Sequence, residues 1–133
     1  MPWSKKMSRT EAMQPTQGWP VAYMRFTKSG NPQDNQTWFR QTFFANQNWH
    51  NGIFGRHQVE QCVVPIDVTI LGQKKGVRNF LVTHDQNRAV NNSTPNTYLH
   101  YDAATQSDFS QNNLTGRNFE IRSNNGQIQI EIS

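Results

Sequence analysis

Cysteine occurs once in the 133 residues, at Cys62. A single thiol forms no intrachain disulfide and cannot build a Cys-rich zinc site, so neither device is available to this chain. Its setting in "EQCVVPI" predicts a buried, inert thiol rather than a nucleophile. Long apolar runs are missing too. Hydrophobic residues make up 34%, and no stretch reaches the ~18 apolar residues of a membrane span. The opening "MPWSKKMSRTEAM" has no apolar core of a secretion signal. No membrane partner is expected, and the cytoplasm is the expected compartment. The sequons at Asn35, Asn91, Asn92 and Asn113 are then accidents of an Asn-rich composition.

Charged residues are also sparse, at 17%. Amides fill the gap: 15 Asn and 14 Gln place a neutral donor–acceptor group at 29 of 133 positions. Disordered chains are rich in charge and poor in aromatics, whereas this one carries 8 Phe, 4 Trp and 3 Tyr. A folded domain is therefore expected. The net charge of +4 is uneven: residues 1–101 hold 11 Lys and Arg against 5 acids, and residues 102–133 hold 2 against 4. A basic front and a mildly acidic tail suit a polyanionic partner.

Residues 1–19 combine Lys5, Lys6 and Arg9 with two prolines and no sustained periodicity, which predicts a basic arm or linker with at most a short helix near 8–13. Residues 20–133 form the β-rich domain. Strands are expected over 20–28, over 59–71, where Pro65 splits the run or marks an edge or bulge, over 77–84 and over 97–102. "GQKKG" reads as a basic turn, and "RNFEIR", "SNNG" and "QIQIEIS" as the clearest hairpin. Between the first two strands, "QTWFRQTFFANQNW" predicts a helix capped by Asn35, with Trp38, Phe39, Thr42, Phe43 and Phe44 on one stripe. About six strands with one or two short helices and no βαβ rhythm give a mostly β fold, a small open barrel or pseudobarrel.

"QNWHNGIFGRHQ" (47–58) holds His50 and His57, with Glu60 and Cys62 just beyond. The glycines between the histidines keep one helix from aligning them, and no H-E-x-x-H motif exists, so the stretch reads as loop and no metal or cofactor is expected. Neither a nuclease carboxylate–lysine motif nor a nucleophile motif occurs. "THDQNR" places Asp85 where it could orient His84 or His100, but no nucleophile accompanies it. No catalytic residue is assigned, and the chain is not expected to be an enzyme on its own.

Nucleic-acid binding accounts for more residues at once. Arg and Lys contact phosphate, while Arg, Asn and Gln read base edges. The loop 84–96 offers Gln86, Asn87, Arg88, Asn91 and Asn92, together with Asn96. The loop between Arg25 and Arg40, themselves expected DNA contacts, adds Lys28, Asn31, Gln33, Asn35 and Gln36. Lys74, Lys75 and Arg78 form a prospective phosphate clamp, and Arg56 enters the long strand close enough to the first loop to reach phosphate.

The runs "PVAYMRFTKSGNPQ", "TWFRQTFF", "GRHQVEQCVVPIDVTI", "FLVTH" and "GRNFEI", with "NGQIQIEI" closing the chain, resemble the B3-like DNA-recognition modules found C-terminal in phospholipase D-type restriction endonucleases. The resemblance spans residues 20–132 and is one of pattern. It implies a seven-stranded pseudobarrel whose two arms grip the major groove, with the N-arm within 25–48 and the C-arm within 84–96. It also implies that nuclease chemistry belongs to a separate partner domain. The expected function is sequence-specific binding of double-stranded DNA, as the non-catalytic targeting module of a restriction or defence nuclease. The alternative is a carbohydrate- or receptor-binding β module, lectin-like or phage-derived, in which Trp19, Trp38 and Trp49 stack on sugar rings.

Overall fold

The structure is a computed structural model that describes residues 2–14, 22–26, 37–55, 57–85 and 96–133, with the backbone alone of His57. The described residues are mostly β, as expected. They fall into two compact units: Met1–Ala22, Pro65–Phe80 and Tyr101–Ser133 form the first, Tyr23–Val64 and Leu81–His100 the second. Two strands are long enough to serve both. β4 (His57–Ile70) passes from the second to the first after Val64, and β5 (Gln73–Asp85) passes back after Phe80.

In the first unit, period-two alternation selects the buried face. Ile66, Val68 and Ile70 of β4 are buried, while Asp67 and Thr69 between them are partly exposed. β8 (Gln127–Ile132) runs parallel to this half of β4 with Ile128, Ile130 and Ile132 opposite Ile66, Val68 and Ile70, so the apolar positions coincide. β7 (Asn118–Asn124) pairs antiparallel on the other side of β8 and adds Phe119 and Ile121 to the same layer. Asn125 and Gly126 join β7 to β8, both at positive φ (52° and 83°), the turn that the Asn-Gly dipeptide favours. The other face of the hairpin is polar: Arg122 meets Glu120 at 2.7 Å and Glu131 at 3.2 Å.

β1 (Trp3–Lys6) completes this edge by pairing with β7, and Trp3, Met7 and Ala12 are buried. Where the sequence predicts an arm or linker over 1–19, residues 3–6 are thus a strand of the sheet. Ser8 and Glu11 satisfy each other's backbone N–H, a reciprocal cap that closes one tight turn at the position of the expected short helix. The helix α1 (Ala103–Gln111) starts where Asp102 accepts from the Thr105 N–H at 2.9 Å, and it buries Phe109 against Tyr101. The Tyr101 hydroxyl donates to the Glu11 carbonyl at 2.9 Å, and burial holds that phenol well above its usual range.

In the second unit, β2 (Tyr23–Arg25) pairs with β6 (Asn96–His100), which pairs with the end of β5, all antiparallel. β3 (His50–Phe54) pairs with the start of β4. The expected helix is short, and over Phe39–Phe43 it is a π-helical turn: the Phe44 N–H donates to the Phe39 carbonyl, five residues back. That wider turn brings Phe39 and Phe44 to one side, where both pack on Phe26; all three are fully buried, with Phe26 and Phe39 stacked at 3.8 Å. Asn35, the expected cap, lies outside the described residues.

One expectation is met in one of its alternatives and two need correction. β4 runs through Pro65 unsplit, and Pro65 falls, as the edge alternative expects, in the gap between the residues that pair with β3 (57–61) and those that pair with β8 (66–70). The turn after β4 is Leu71–Gly72, with Gly72 at φ 81°, so Lys74 and Lys75 are strand residues of β5 rather than turn residues. Finally, His50 opens β3 and His57 opens β4, making the histidine-rich stretch a hairpin rather than a loop.

Candidate functional site

Of the residues assigned to DNA contact, Arg25, Arg40, Lys74, Lys75 and Arg78 are described; Lys28, Asn35, Gln36, Arg56, Gln86, Asn87, Arg88, Asn91 and Asn92 lie outside the described residues. Arg25 is exposed on β2, its guanidinium carbon 5.9 Å from the centre of the Tyr98 ring. Arg40 grips Glu60 with two hydrogen bonds, Nε to Oε1 at 3.1 Å and Nη2 to Oε2 at 2.7 Å. Its guanidinium also lies 4.3 Å over the Trp49 ring.

In the first unit, the proposed clamp closes on a carboxylate. Arg78 reaches Asp108 of α1 at 2.9 Å and donates to the Thr105 hydroxyl at 3.0 Å. Lys75 stands 3.9 Å from the same Asp108, whereas Lys74 is exposed. Phosphate at Arg40 or Arg78 would compete with a carboxylate already in place. No local sequence pattern announces these two pairs, since each acid comes from an element distant along the chain.

The second unit supplies a relation that the sequence does not show. Asp85, the last residue of β5, is the register partner of Asn96, the first of β6, so the segment 86–95 leaves and re-enters the sheet at one paired position. The Phe26 N–H donates to the Thr97 carbonyl at 3.4 Å, one residue along β6. The segment 27–36 therefore departs from the neighbouring strand at the same end of the sheet. Both amide-rich segments are rooted side by side.

Beside that root lies an open pocket of about 700 Å³. β3 lines it with Asn51, Gly52 and Ile53, β4 with Gln58, Val59 and Glu60, and β5 with His84 and Asp85. Hydrogen bonding from Arg40 holds the Glu60 carboxyl below its usual range, so it is ionised at neutral pH. His84 is buried, and burial lowers its pKa, leaving a neutral imidazole whose Nδ1 shares a 2.7 Å hydrogen bond with the Thr97 hydroxyl. His100 makes a matching 2.8 Å bond through Nε2 to the Thr83 hydroxyl. Since neighbouring strand residues face opposite ways, the two His–Thr pairs tie β5 to β6 on both faces. Both histidines named as acid–base candidates thus have threonine hydroxyls as partners. Cys62 on β4 is fully buried, and burial pushes its thiol up to about 12, in keeping with an inert group.

Two of the tryptophans suggested for sugar stacking are engaged in packing. Trp38 packs on Phe39 and Phe43, and Trp49 lies beneath Arg40 while its Nε1 donates to the Phe44 carbonyl at 2.8 Å. Trp19 lies outside the described residues. Among the described residues no group of three His, Cys, Asp or Glu side chains converges as metal ligands, and no helix is long and apolar enough to cross a membrane. Comparison with family models, with curated proteins and with solved structures returned no match to this chain.

Proposed function

We propose that this chain is a sequence-specific binder of double-stranded DNA with a B3-like pseudobarrel architecture, acting as the non-catalytic targeting module of a restriction or defence nuclease. The observation that carries the proposal is the common root of the two amide-rich segments in the second unit, set by the Asp85–Asn96 pair and the Phe26–Thr97 hydrogen bond. Side chains that read base edges must act together on neighbouring base pairs, and segments rooted side by side on one rigid sheet meet that requirement. Asn and Gln are bidentate to adenine and Arg to guanine, and the two segments hold Asn35, Gln36, Gln86, Asn87, Arg88, Asn91 and Asn92.

Positioning on phosphate falls to Arg25, Lys28 and Arg56. Arg40 and Arg78, paired with carboxylates of their own units, take the structural role. With about three phosphates neutralised, the logarithm of the binding constant falls with the logarithm of salt at a slope of roughly −3. Fluorescence anisotropy of labelled duplexes from about 50 to about 300 mM salt tests this. Arg88→Ala is expected to weaken binding by about 1–3 kcal/mol and to relax the preference at the base pair it reads. Duplex binding indifferent to salt, or unchanged by Arg88→Ala, would overturn the proposal.

A further inference from the structure

Among the described residues, β1, β2 and β3 each pair on one side only. An edge strand carries backbone N–H and C=O groups ready to pair with another strand, and native edges are guarded by charge, proline, bulges or shortness. β1 carries the exposed Lys6, and β2 is three residues long with the exposed Arg25. β3 has none of these guards. Its sequence, "HNGIF", holds no Lys, Arg, Asp, Glu or Pro, and its register with β4 runs from His50 to Phe54 without a bulge. On it Ile53 is 71% exposed and Phe54 37%. We propose that β3 is a self-association edge, through which two copies of the chain join by antiparallel β3–β3 pairing about a two-fold axis at Gly52.

The backbone groups fix the register. Phe54 and His57 are paired across the two residues 55–56, so the Phe54 carbonyl points at β4. Inward and outward groups alternate along a strand. Phe54, Gly52 and His50 therefore bond to β4, while Asn51 and Ile53 present their N–H and C=O to the outside. Two such strands centred on Gly52 set Asn51 of each copy opposite Ile53 of the other, and these residues exchange both backbone bonds. The two Gly52 residues form the non-hydrogen-bonded pair between them, where the chains come closest. Gly52 has no side chain to obstruct that approach, and Gln61 of the same copy already occupies the space a Cβ would take.

The side chains select a second copy over an unrelated strand. Asn51 and Ile53 share one face, which sets the two Ile53 side chains diagonally across the join and within reach of each other. On the other face His50 meets Phe54 of the second copy, a contact of the kind Phe54 makes with His100 at 4.4 Å. No like charges oppose each other, because the edge carries no Lys, Arg, Asp or Glu. Five residues a side bury less than the ~1,200 Å² of a standard interface, so the dimer is weak, with a dissociation constant on the order of 100 µM. A two-fold pair of DNA readers takes an inverted repeat; that consequence rests on the DNA-binding proposal, whereas the dimer does not.

Sedimentation equilibrium of the intact chain without DNA, from about 10 µM to about 1 mM, tests the pairing and should show a reversible monomer–dimer equilibrium. Ile53→Lys places a charge at an exposed edge position. It should weaken the dimer roughly tenfold or more and leave the thermal transition where it is. In a mixture of isotope-labelled and unlabelled wild-type chains, a contact between the Gly52 α-protons of the two copies reports the register directly. A chain still monomeric at about 1 mM, a dimer indifferent to Ile53→Lys, or cross-copy contacts confined to other residues overturns the inference. Because no DNA is present, this result stands or fails apart from duplex binding.

Discussion

Arg40 combines a two-point hydrogen-bonded ion pair to Glu60 with a stack over Trp49, 4.3 Å from the ring centre. Both side chains are partly sheltered, Arg40 at 23% and Glu60 at 33% exposure, so solvent screens the pair only in part. An exposed pair is worth about 0–1 kcal/mol and a charged hydrogen bond up to about 3; the geometry here places the pair near 1.5 kcal/mol, with about 0.5 more from the stack. Arg40→Ala should therefore cost about 2 kcal/mol and lower the melting temperature by roughly 4–8 °C.

Urea unfolding followed by tryptophan emission, on Arg40→Ala, Glu60→Gln and the double variant, isolates the pair term, expected at about 1 kcal/mol or more. The sign with pH follows from the depressed Glu60 pKa. The contribution is complete above the unfolded value of 4.5 and is lost as pH falls through the lower folded value. The gap between wild type and Arg40→Ala should hold steady from neutral pH down to about 5 and close below it. A coupling of zero at neutral pH, or a gap that widens on acidification, would refute the assignment of Arg40 to structure.

Three further predictions concern single positions. Phe26→Ala removes the ring stacked on Phe39 in a fully buried aromatic cluster and should cost about 3–5 kcal/mol in denaturant titration. Cys62, with its thiol raised from 9.0 to about 12, should react with an aromatic disulfide reagent at mildly alkaline pH only as the chain unfolds, since its thiolate share drops roughly a thousandfold; prompt native-state labelling would contradict its burial. Asn125→Ala should cost about 1 kcal/mol by thermal melting because Asn125 sits at φ 52°, whereas Asn125→Gly should stay within about 0.5 of wild type.

Local rules were legible wherever period and turn chemistry decide structure. The strand expected over 59–71 forms, with Val64, Ile66, Val68 and Ile70 buried and Pro65, Asp67, Thr69 and Leu71 more exposed, and so does the β7–β8 hairpin with its Asn-Gly turn. Pairings between distant segments were not legible. The parallel match of β8 to β4 and the addition of β1 to β7 depend on which apolar faces meet across the chain, and alternation within one segment cannot choose its neighbour. Whether Pro65 splits the run or sits at an edge stayed open in the sequence for the same reason, since its cost depends on the ladder beside it. The candidate site follows the same division. Amide and arginine content marked the two segments, but their common root needed the register of β2, β5 and β6, and the commitment of Arg40 and Arg78 to carboxylates needed contacts from other elements.

Selection from a pool of randomised duplexes tests the central claim most directly. The chain should enrich one short motif over successive rounds, and a variant with residues 86–95 replaced by a glycine–serine linker should keep its thermal transition yet enrich none. Recovery of the pool unchanged by the wild-type chain, or the same motif enriched by both proteins, would contradict sequence-specific DNA recognition through that segment.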